Sequence, residues 1–250
     1  MKSNEEYWKT FWNEKAVKFN DHSKLIHTSK NAIGNINKVF YRIISHYSKR
    51  KIRVLDVGCG PGEYCRIMYN LGFNVTGVDY SKNMIKTAIK KSKGTKIRYK
   101  VGDIYHLPFK DTSFDLVICM DVIQNTLDGK KAIKELKRVV RANGNLILTT
   151  LNKNSINALY YNLAEKLKSM LYSNNEIDHW FLERYNPFKF KKMLENAGFS
   201  NISISGVYIF PKSLRKFEKL FNKFKIYKLM DKYFFVGCLF SHHFTIEAKA

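Results

Sequence analysis

The sequence predicts an α/β fold in which helices flank a doubly wound, mostly parallel sheet. Short apolar segments alternate with amphipathic helical segments from residue 52 to residue 150. Acidic residues stand at or just after the ends of these apolar segments, and one segment is followed by three glycines at alternate positions. Strands that alternate with helices of this length indicate parallel pairing through right-handed crossovers. Ligands of such sheets bind at the carboxyl ends of the strands.

The glycine-rich stretch follows the first predicted strand, Ile52–Val57. Its glycines are Gly58, Gly60 and Gly62. They can take positive φ and lack a Cβ, so a ligand can approach the backbone, and the helix that follows presents its N-terminus to the same ligand. Asp56, two residues before the first glycine, disfavours a diphosphate and suits a cationic ligand or one with an ammonium group. The plain alternative is a tight strand–helix turn that binds no ligand.

The next elements are predicted from apolar runs, N-cap residues and glycine stops. Strands are expected over Asn74–Val78, Lys96–Val101, Phe114–Met120 and Asn145–Thr150. One helix should run from Ser81 to Gly94, and another from about residue 128 to Asn143-Gly144. The nearly unbroken apolar run of the third of these strands predicts a central position in the sheet.

We predict a single domain over residues 1–250, in which residues 51–150 form the ligand-binding core. Residues 1–50 are predicted to form two amphipathic helices that pack on the sheet, cover the ligand site as a lid, or do both. Insertions on the substrate side are expected at about 152–185 and 211–237. Between them, Asn186-Pro187 begins a helix that Gly198 closes, and Asn201–Ile209 forms a strand. Ser241–Ala248 is the last predicted strand.

The formal net charge of +23 suggests nucleic acid or an anionic membrane as a partner. The excess of basic residues is mostly lysine and is spread evenly along the chain, which is typical of compositional bias, so we do not expect nucleic-acid recognition. The four cysteines have no metal-type spacing and predict reduced thiols. With no run of 18 apolar residues and a polar N-terminus, the sequence predicts a cytoplasmic protein without a metal site.

Acidic residues mark the carboxyl ends of four predicted strands: Asp56, Asp79, Asp103 and Asp121. Asp79 lies one strand–helix–strand step after the glycine loop, where a carboxylate can accept two ribose hydroxyls. A carboxylate at Asp103 could accept a hydrogen bond from the exocyclic amine of adenine. Any one of these residues is most simply a solvated strand end. Their common register with a glycine loop indicates a ligand site.

The chain resembles the class I S-adenosylmethionine-dependent methyltransferases, in the large group that includes quinone and small-molecule methyltransferases. The matching motifs are Val54–Tyr64, Gly77–Ser81 with Met84, Gly102–Ile104 with Leu107–Phe109, Phe114–Val117, and Arg138–Gly144. The resemblance is good over about residues 35–150 and loose elsewhere, and its motifs are specific for cofactor and fold but not for substrate. It implies a seven-stranded sheet whose last strand is antiparallel, here Ser241–Ala248 inserted beside Asn201–Ile209.

The resemblance also implies which residues would bind S-adenosyl-L-methionine. The methionine part would be held by Asp56 and by the loop residues Gly58, Cys59, Gly60 and Gly62. The ribose hydroxyls would be held by Asp79, and the adenine would contact Tyr80, Met84, Asp103 and Ile104. The sulfonium would lie near Met120.

One departure from the family pattern concerns removal of a proton from the methyl acceptor. Relatives often carry a histidine after the fourth strand, about where this chain has Gln124 and Asn125. Neither amide can act as a general base. Methyl transfer is a displacement at a sulfonium carbon, so positioning and desolvation of the nucleophile supply much of the rate, and a base is needed only if the acceptor loses a proton.

Other histidines are candidates for this base: His22, His27 and His179. The one we name as the catalytic candidate is His179, because it lies in the insertion that should cover the site. A histidine that packs against aromatic side chains explains the Asp178-His179-Trp180 sequence equally well. His242 and His243, in the last predicted strand, are expected to be structural.

The leading interpretation is methyl transfer to O, C or N of a small or lipid-linked molecule. Two alternatives stay open: an RNA methyltransferase, favoured by the basic charge but without an evident RNA-binding module, and a non-catalytic S-adenosylmethionine-binding protein. Leu214–Tyr233 is a basic amphipathic segment that either packs on the sheet edge or contacts an anionic membrane, which would admit a lipid-linked acceptor at the membrane periphery. The oligomeric state is not predicted.

Overall fold

The structure, a computed structural model, describes residues 10, 13–14, 36–37, 40–47, 51–156, 158–159, 183–208 and 241–250. Several sequence-based predictions therefore lie outside the described residues. They are the candidate bases His22, His27 and His179, the basic segment Leu214–Tyr233, and most of the proposed lid and of the two insertions.

The described elements alternate as predicted. In chain order they are β1 (Arg53–Val57), α1 (Glu63–Asn70), β2 (Asn74–Asp79), α2 (Lys82–Lys91), β3 (Arg98–Val101), β4 (Phe114–Met120), α3 (Gly129–Val139), β5 (Val140–Leu151), α4 (Pro187–Asn196), β6 (Ser200–Tyr208) and β7 (Ser241–Lys249). Short 3-10 turns occupy Ser45–Tyr47 and Ile123–Asn125. The strands and helices predicted within residues 51–150, the helix that begins at Pro187 and the last two strands therefore form, with ends that differ by a few residues.

One predicted boundary is wrong. Helix α3 ends at Val139 and not at Asn143-Gly144, because Val140 is already extended and begins β5 opposite Phe114. The pairing then shifts register, and the ladder resumes with Asn145 opposite Leu116. The intervening residues turn back at Asn143, whose φ is +62° and whose N–H donates to the carbonyl of Ala250. Ala250 thus stabilises this turn, and no local sequence pattern predicts the contact.

The seven strands form one sheet in the order β3-β2-β1-β4-β5-β7-β6. Strand β7 is antiparallel to both of its neighbours, and the pairings among the first five strands are parallel. The last strand thus inserts between β5 and β6, as the family resemblance implies. Because β7 is antiparallel to β5, its first residues lie at the edge where β1, β4 and β5 have their carboxyl ends.

Two apolar layers cover the sheet. On one face, α3 and α4 bury residues such as Ile133, Leu136 and Phe190. On the other face, the helical residues 40–44 and helix α1 bury Phe40 and Met68 with further apolar side chains. The caps agree with the sequence, since the side chains of Ser81, Asp128 and Asn186 accept backbone N–H groups at the starts of α2, α3 and α4. Among the helices described, none has the length and apolar character needed to cross a membrane.

Candidate active site

The strand ends bring most of the predicted site residues to one edge of the sheet. Strands β2, β1 and β4 are neighbours, and β3 flanks β2. Asp79 ends β2, Met120 ends β4, and Asp103 follows β3. The glycine loop lies between β1 and α1, at the same edge. Residues that are far apart in the sequence therefore lie along one edge of the sheet, which is where ligands of such sheets bind.

The glycine loop folds back over the end of β2. The N–H groups of Gly58 and Cys59 both donate to the carbonyl of Val78, at 2.8 and 3.0 Å. The N–H of Gly60 donates to Oδ2 of Asp79 at 2.9 Å. All three loop glycines have positive φ, from +51° to +77°, a conformation that costs an ordinary residue about 1 kcal/mol or more. Strand β2 thus holds the loop through the carbonyl of Val78 and the carboxylate of Asp79.

The three glycines meet different surroundings. A Cβ on Gly58 would overlap the side chain of Val122, and one on Gly62 would overlap the hydroxyl of Tyr99. A Cβ on Gly60 would meet no atom of the described residues within 4 Å. Two of the glycines are therefore required by close packing inside the protein. Gly60 is the position at which the loop faces open space, so the sequence argument that a ligand approaches the backbone applies to this residue.

Asp56 is a buried carboxylate beside the loop. It is 1% exposed, and its Oδ2 accepts a hydrogen bond from the Cys65 thiol at 3.1 Å. Burial raises the pKa of Asp56 from its usual 3.8 to about 7, the thiol lowers it, and the negative charge of Asp79 raises it further. A carboxyl group in this state ionises readily when a cation comes near. That behaviour suits the ammonium-bearing ligand predicted from the sequence.

Asp79 is held in a fixed orientation by the backbone. Its Oδ1 accepts from the N–H of Ser81 at 2.8 Å, and its Oδ2 accepts from Gly60. Burial raises the pKa of Asp79 to about 6, against the lowering effect of these two hydrogen bonds. Each carboxylate oxygen has a second lone pair, so both can still accept a hydroxyl of a ligand.

The remaining predicted site residues differ in exposure. Tyr80, Asp103 and Ile104 are partly exposed, whereas Met84 and Met120 are 3% and 7% exposed. Oδ1 of Asp103 accepts from the N–H of Tyr105 at 2.9 Å, which leaves Oδ2 as an acceptor at the turn after β3. Met84 is one of the buried residues of α2 itself. A contact between Met84 and an adenine ring remains a prediction.

Asp121, which follows β4, has a strained backbone conformation and places its carboxylate near a histidine of β7. Asp121 has a φ of +57°, and its N–H donates to both Oγ1 and the carbonyl of Thr149, at 2.9 and 3.2 Å. Oγ1 of Thr149 lies 3.1 Å from Oδ1 of Asp121 and donates to it. Nε2 of His243 lies 3.5 Å from the same oxygen. No local pattern in the sequence indicates this group, because its members come from β5, from β7 and from the residue that follows β4.

A protein-family model described as a methyltransferase domain matches residues 55–148. An uncharacterised protein of Methanocaldococcus jannaschii is 33% identical over 166 residues, which cover 66% of this chain and 62% of that protein. A ubiquinone biosynthesis O-methyltransferase of Rickettsia felis is 35% identical over 118 residues, which cover 46% of this chain and 48% of the relative. The chain therefore spans less than two thirds of the length of either relative.

A solved structure has the same fold. It is an S-adenosylmethionine-dependent methyltransferase of Archaeoglobus fulgidus, with a TM-score of 0.57, 20% identity, and coverage of 86% of this chain and 93% of that one. Residues 55–148 thus match a methyltransferase domain, and the chain has the fold of an S-adenosylmethionine-dependent methyltransferase. The residues matched by the family model include β1, the glycine loop and β4, which are the parts that build the cleft.

The residues at this edge of the sheet have donor and acceptor groups that suit S-adenosylmethionine, the cofactor named for the Archaeoglobus fulgidus structure. Gly60 leaves open space at the loop, the fixed carboxylate of Asp79 can accept the two ribose hydroxyls, and Oδ2 of Asp103 lies at the next strand end. The buried Asp56 lies where the methionine ammonium is expected. These assignments to parts of the cofactor are our proposal, and the structural support for them is the donor and acceptor chemistry of the residues.

Arg138 supports the chain beside this candidate site, a role that the sequence did not show. Its guanidinium donates to the carbonyls of Leu107 and Phe109, at 3.0 and 2.9 Å, and to both carboxylate oxygens of Glu135. Glu135 in turn accepts the N–H of Leu107 at 2.6 Å. The pair thus anchors the chain just after Asp103. The sequence showed Arg138 only as part of a family motif.

We expect Arg138→Lys to lower the free energy of unfolding by about 2 kcal/mol, because an ammonium cannot reproduce this forked set of charge-assisted hydrogen bonds. Urea unfolding measures the change, and hydrogen exchange at the Leu107 amide reports loosening of the loop. Arg141→Lys is the matched control, since Arg141 makes a half-exposed ion pair with Asp115 at 2.7 Å and should change stability by less than about 0.5 kcal/mol. Equal effects of the two changes would contradict the assignment.

Proposed function

We propose that this protein transfers a methyl group from S-adenosylmethionine to an oxygen, carbon or nitrogen atom of a small or lipid-linked molecule. The observation that supports it most is the single frame made by the glycine loop and Asp79, joined by the Gly60 N–H hydrogen bond. The name of the Rickettsia felis relative, a ubiquinone biosynthesis O-methyltransferase, favours an oxygen acceptor on a quinone-type molecule. Peripheral contact of the segment 214–233 with an anionic membrane, which would admit a lipid-linked acceptor, belongs to the same proposal.

When bound, S-adenosylmethionine supplies a methyl group that is activated by attachment to a positively charged sulfur. The chain itself contributes binding, orientation and exclusion of water. Asp79, fixed by two backbone N–H groups, holds the ribose in one position. Asp56 loses its proton as the cation enters and then balances part of its charge within a buried site. Because these groups are already ordered, little reorganisation is required at the moment of transfer.

Calorimetry and a transfer assay test the proposal together. We expect S-adenosylmethionine and S-adenosylhomocysteine to bind with micromolar affinity, about −8 kcal/mol. Methyl-labelled S-adenosylmethionine is then incubated with the protein and with separate small-molecule, lipid and RNA extracts. Label in the small-molecule or lipid extract supports the proposal, whereas label in RNA alone supports an RNA methyltransferase. Binding without transfer to any extract supports a non-catalytic binding protein, and no binding at all overturns the proposal.

Asp79→Ala should weaken S-adenosylhomocysteine binding by about tenfold or more, because two hydrogen bonds to an ionised carboxylate are lost. Asp79→Asn keeps one carbonyl acceptor, and its affinity should lie between those of Asp79→Ala and the wild type. Because burial raises the pKa of Asp79 to about 6, wild-type binding should also weaken as the pH falls below about 6 and the carboxylate takes a proton.

Asp79 also satisfies the N–H groups of Gly60 and Ser81, so both variants require a control for the fold. Thermal unfolding of each variant without ligand separates a loosened loop from a lost ligand contact. An Asp79→Ala protein that unfolds like the wild type and binds S-adenosylhomocysteine equally well would exclude Asp79 as the ribose ligand.

A further inference from the structure

The last strand carries a buried histidine that has one ring nitrogen engaged and the other without a partner among the described residues. His243 is 3% exposed. Its Nε2 lies 3.5 Å from Oδ1 of Asp121, and its Nδ1 has no hydrogen-bond partner within the described part of the chain. A buried polar atom without a partner is costly and is uncommon in native proteins, so it requires an explanation.

The register of β7 shows which side of the sheet the histidine is on. His243 pairs with Leu151 of β5 and with Val207 of β6, so all three side chains share one face. Val207 packs in the apolar cluster that also contains Cys59, Tyr64 and Met120. His243 therefore lies on the same side as the end of the glycine loop and the end of β4.

Tyr64 connects this face to the cofactor cleft. It stands in the first turn of α1, directly after the glycine loop, and is 7% exposed. Burial raises the pKa of Tyr64, and the next contribution is the negative charge of Asp121. Tyr64 therefore lies within electrostatic reach of Asp121. The pair of Asp121 and His243 therefore lies near the first turn of α1, which follows the glycine loop.

Contacts with Thr149 hold the carboxylate of Asp121 in this position. The positive φ of Asp121 is an unfavourable backbone state for a residue other than glycine, and Thr149 holds it through three contacts. Strain of this kind persists only where the surrounding structure imposes it and is concentrated at functional sites. The arrangement fixes a carboxylate oxygen against Nε2 of His243, which stabilises the tautomer with the proton on Nε2 and leaves Nδ1 bare.

We propose that His243, oriented by Asp121, is the group that receives the proton of the acceptor hydroxyl during methyl transfer. This inference rests on the proposed function. The hydroxyl proton passes to Nδ1, and the oxygen electron pair forms the bond to the methyl carbon. The carbon–sulfur bond breaks with its pair left on sulfur, which gives S-adenosylhomocysteine. The imidazolium formed is balanced by the Asp121 carboxylate. A histidine from the last strand thus takes the place of the one that is absent from positions 124 and 125.

The environment also restricts the acceptor. Burial lowers the pKa of His243 to about 4, so the ring is neutral at physiological pH and can accept a proton. So weak a base suits an acidic hydroxyl, such as a phenol with a pKa near 10, much better than an alkyl alcohol. Oε1 of Gln124 and Oγ1 of Thr245 are further buried atoms without partners in the described part of the chain. Both can accept a hydrogen bond, as a ligand with several hydroxyl groups requires.

Histidine ring NMR on ¹⁵N-labelled protein saturated with S-adenosylhomocysteine tests the assignment. The His243 signals are identified by their loss in His243→Asn. We expect a protonated Nε2 and a bare Nδ1 before any acceptor is added, and a shift of the Nδ1 resonance when millimolar phenol is added as the probe. His242→Gln, which replaces the neighbouring histidine, should behave like the wild type, and Asp121→Asn should reduce the tautomer preference and the phenol shift.

A protonated Nδ1 would overturn the proposal, as would an Nδ1 resonance that phenol does not move in a protein that binds S-adenosylhomocysteine normally. Failure to bind S-adenosylhomocysteine would instead contradict the proposed function, and the tautomer measured in the free protein would still decide the role of His243. On any hydroxyl acceptor that is methylated, His243→Asn should lower kcat by about 100-fold or more while the cofactor affinity stays unchanged. His179→Ala in the same assay compares the other candidate base.

Discussion

Replacing Asp56 with Asn should make the protein more stable at pH 8 and should leave its stability at pH 4 nearly unchanged. Burial raises the pKa of Asp56 from its usual 3.8 to about 7 in the folded protein. The folded state therefore binds a proton more tightly than the unfolded chain, so this group stabilises the fold below pH 3.8, and that contribution is lost as the pH rises through 7. The difference amounts to about 4 kcal/mol in order of magnitude.

Urea unfolding between pH 4 and pH 8 measures this effect. The wild type should lose stability across the range relative to Asp56→Asn. Asp115→Asn, one strand away on β4, is a control of opposite sign. Partial burial raises the pKa of Asp115, but hydrogen bonds from Arg53 and the charge of Arg141 outweigh it and lower the pKa. Asp115→Asn should therefore cost stability at pH 8 and little at the acid end. Parallel pH profiles for the wild type and Asp56→Asn would contradict the assignment.

The same change should weaken cofactor binding. An amide in place of the Asp56 carboxylate cannot balance the charge of a cation. The protein thus keeps a carboxyl group that lowers its stability at neutral pH, which is expected where a site serves binding and not the fold. Binding of S-adenosylmethionine to the wild type near pH 7 should release a proton, which appears in calorimetry as a dependence of the observed enthalpy on the buffer. Asp56→Asn should abolish that part of the release.

Most of the fold could be predicted because its signals are local. Buried parallel strands give apolar runs, and Ser81, Asp128 and Asn186 cap helices through residues three or fewer positions away. The position of β7 could not be predicted in this way, because the sequence of a strand does not state which strands it will pair with. Only the family resemblance placed β7 between β5 and β6, and the structure agrees.

The residues of the candidate site also fall into those that could be predicted from the sequence and those that could not. The place of Asp79 and Asp103 at one edge of the sheet could be predicted, because Asp79 ends a strand, Asp103 lies two residues after one, and the glycine spacing is visible in the sequence. Their contacts with a cofactor stay a prediction. Arg138 and His243 could not, because each acts on residues that are distant in the chain. His243 meets Asp121 only because β7 runs antiparallel beside β5 and brings its first residues to the carboxyl edge. From the sequence alone, His243 is therefore expected to be structural, and the candidate base is His179.

The glycine loop supports a second large effect, in which Gly58→Ala should destabilise the protein by about 3 kcal/mol. The new Cβ would overlap Val122, and overpacking of this kind costs about 1–3 kcal/mol. The φ of +71° adds about 1 kcal/mol for a residue with a side chain. Gly60→Ala has the same backbone cost but no overlap, since no atom in the described part of the chain lies within 4 Å of its Cβ, and should destabilise by only about 1 kcal/mol.

A double-mutant cycle with Val122→Ala separates the cost of the overlap from the cost of the positive φ. Removing the Val122 methyl groups makes room for the Cβ, so Gly58→Ala should cost only about 1 kcal/mol, the backbone term, when it is introduced into Val122→Ala. Urea unfolding measures these losses of stability. For the affinity for S-adenosylhomocysteine, we expect the opposite ranking of Gly58→Ala and Gly60→Ala. Gly60→Ala should impair binding more than its stability suggests, because its methyl group projects into the space left for the ligand. A Gly60→Ala protein with wild-type affinity would show that the ligand does not approach the loop at this residue.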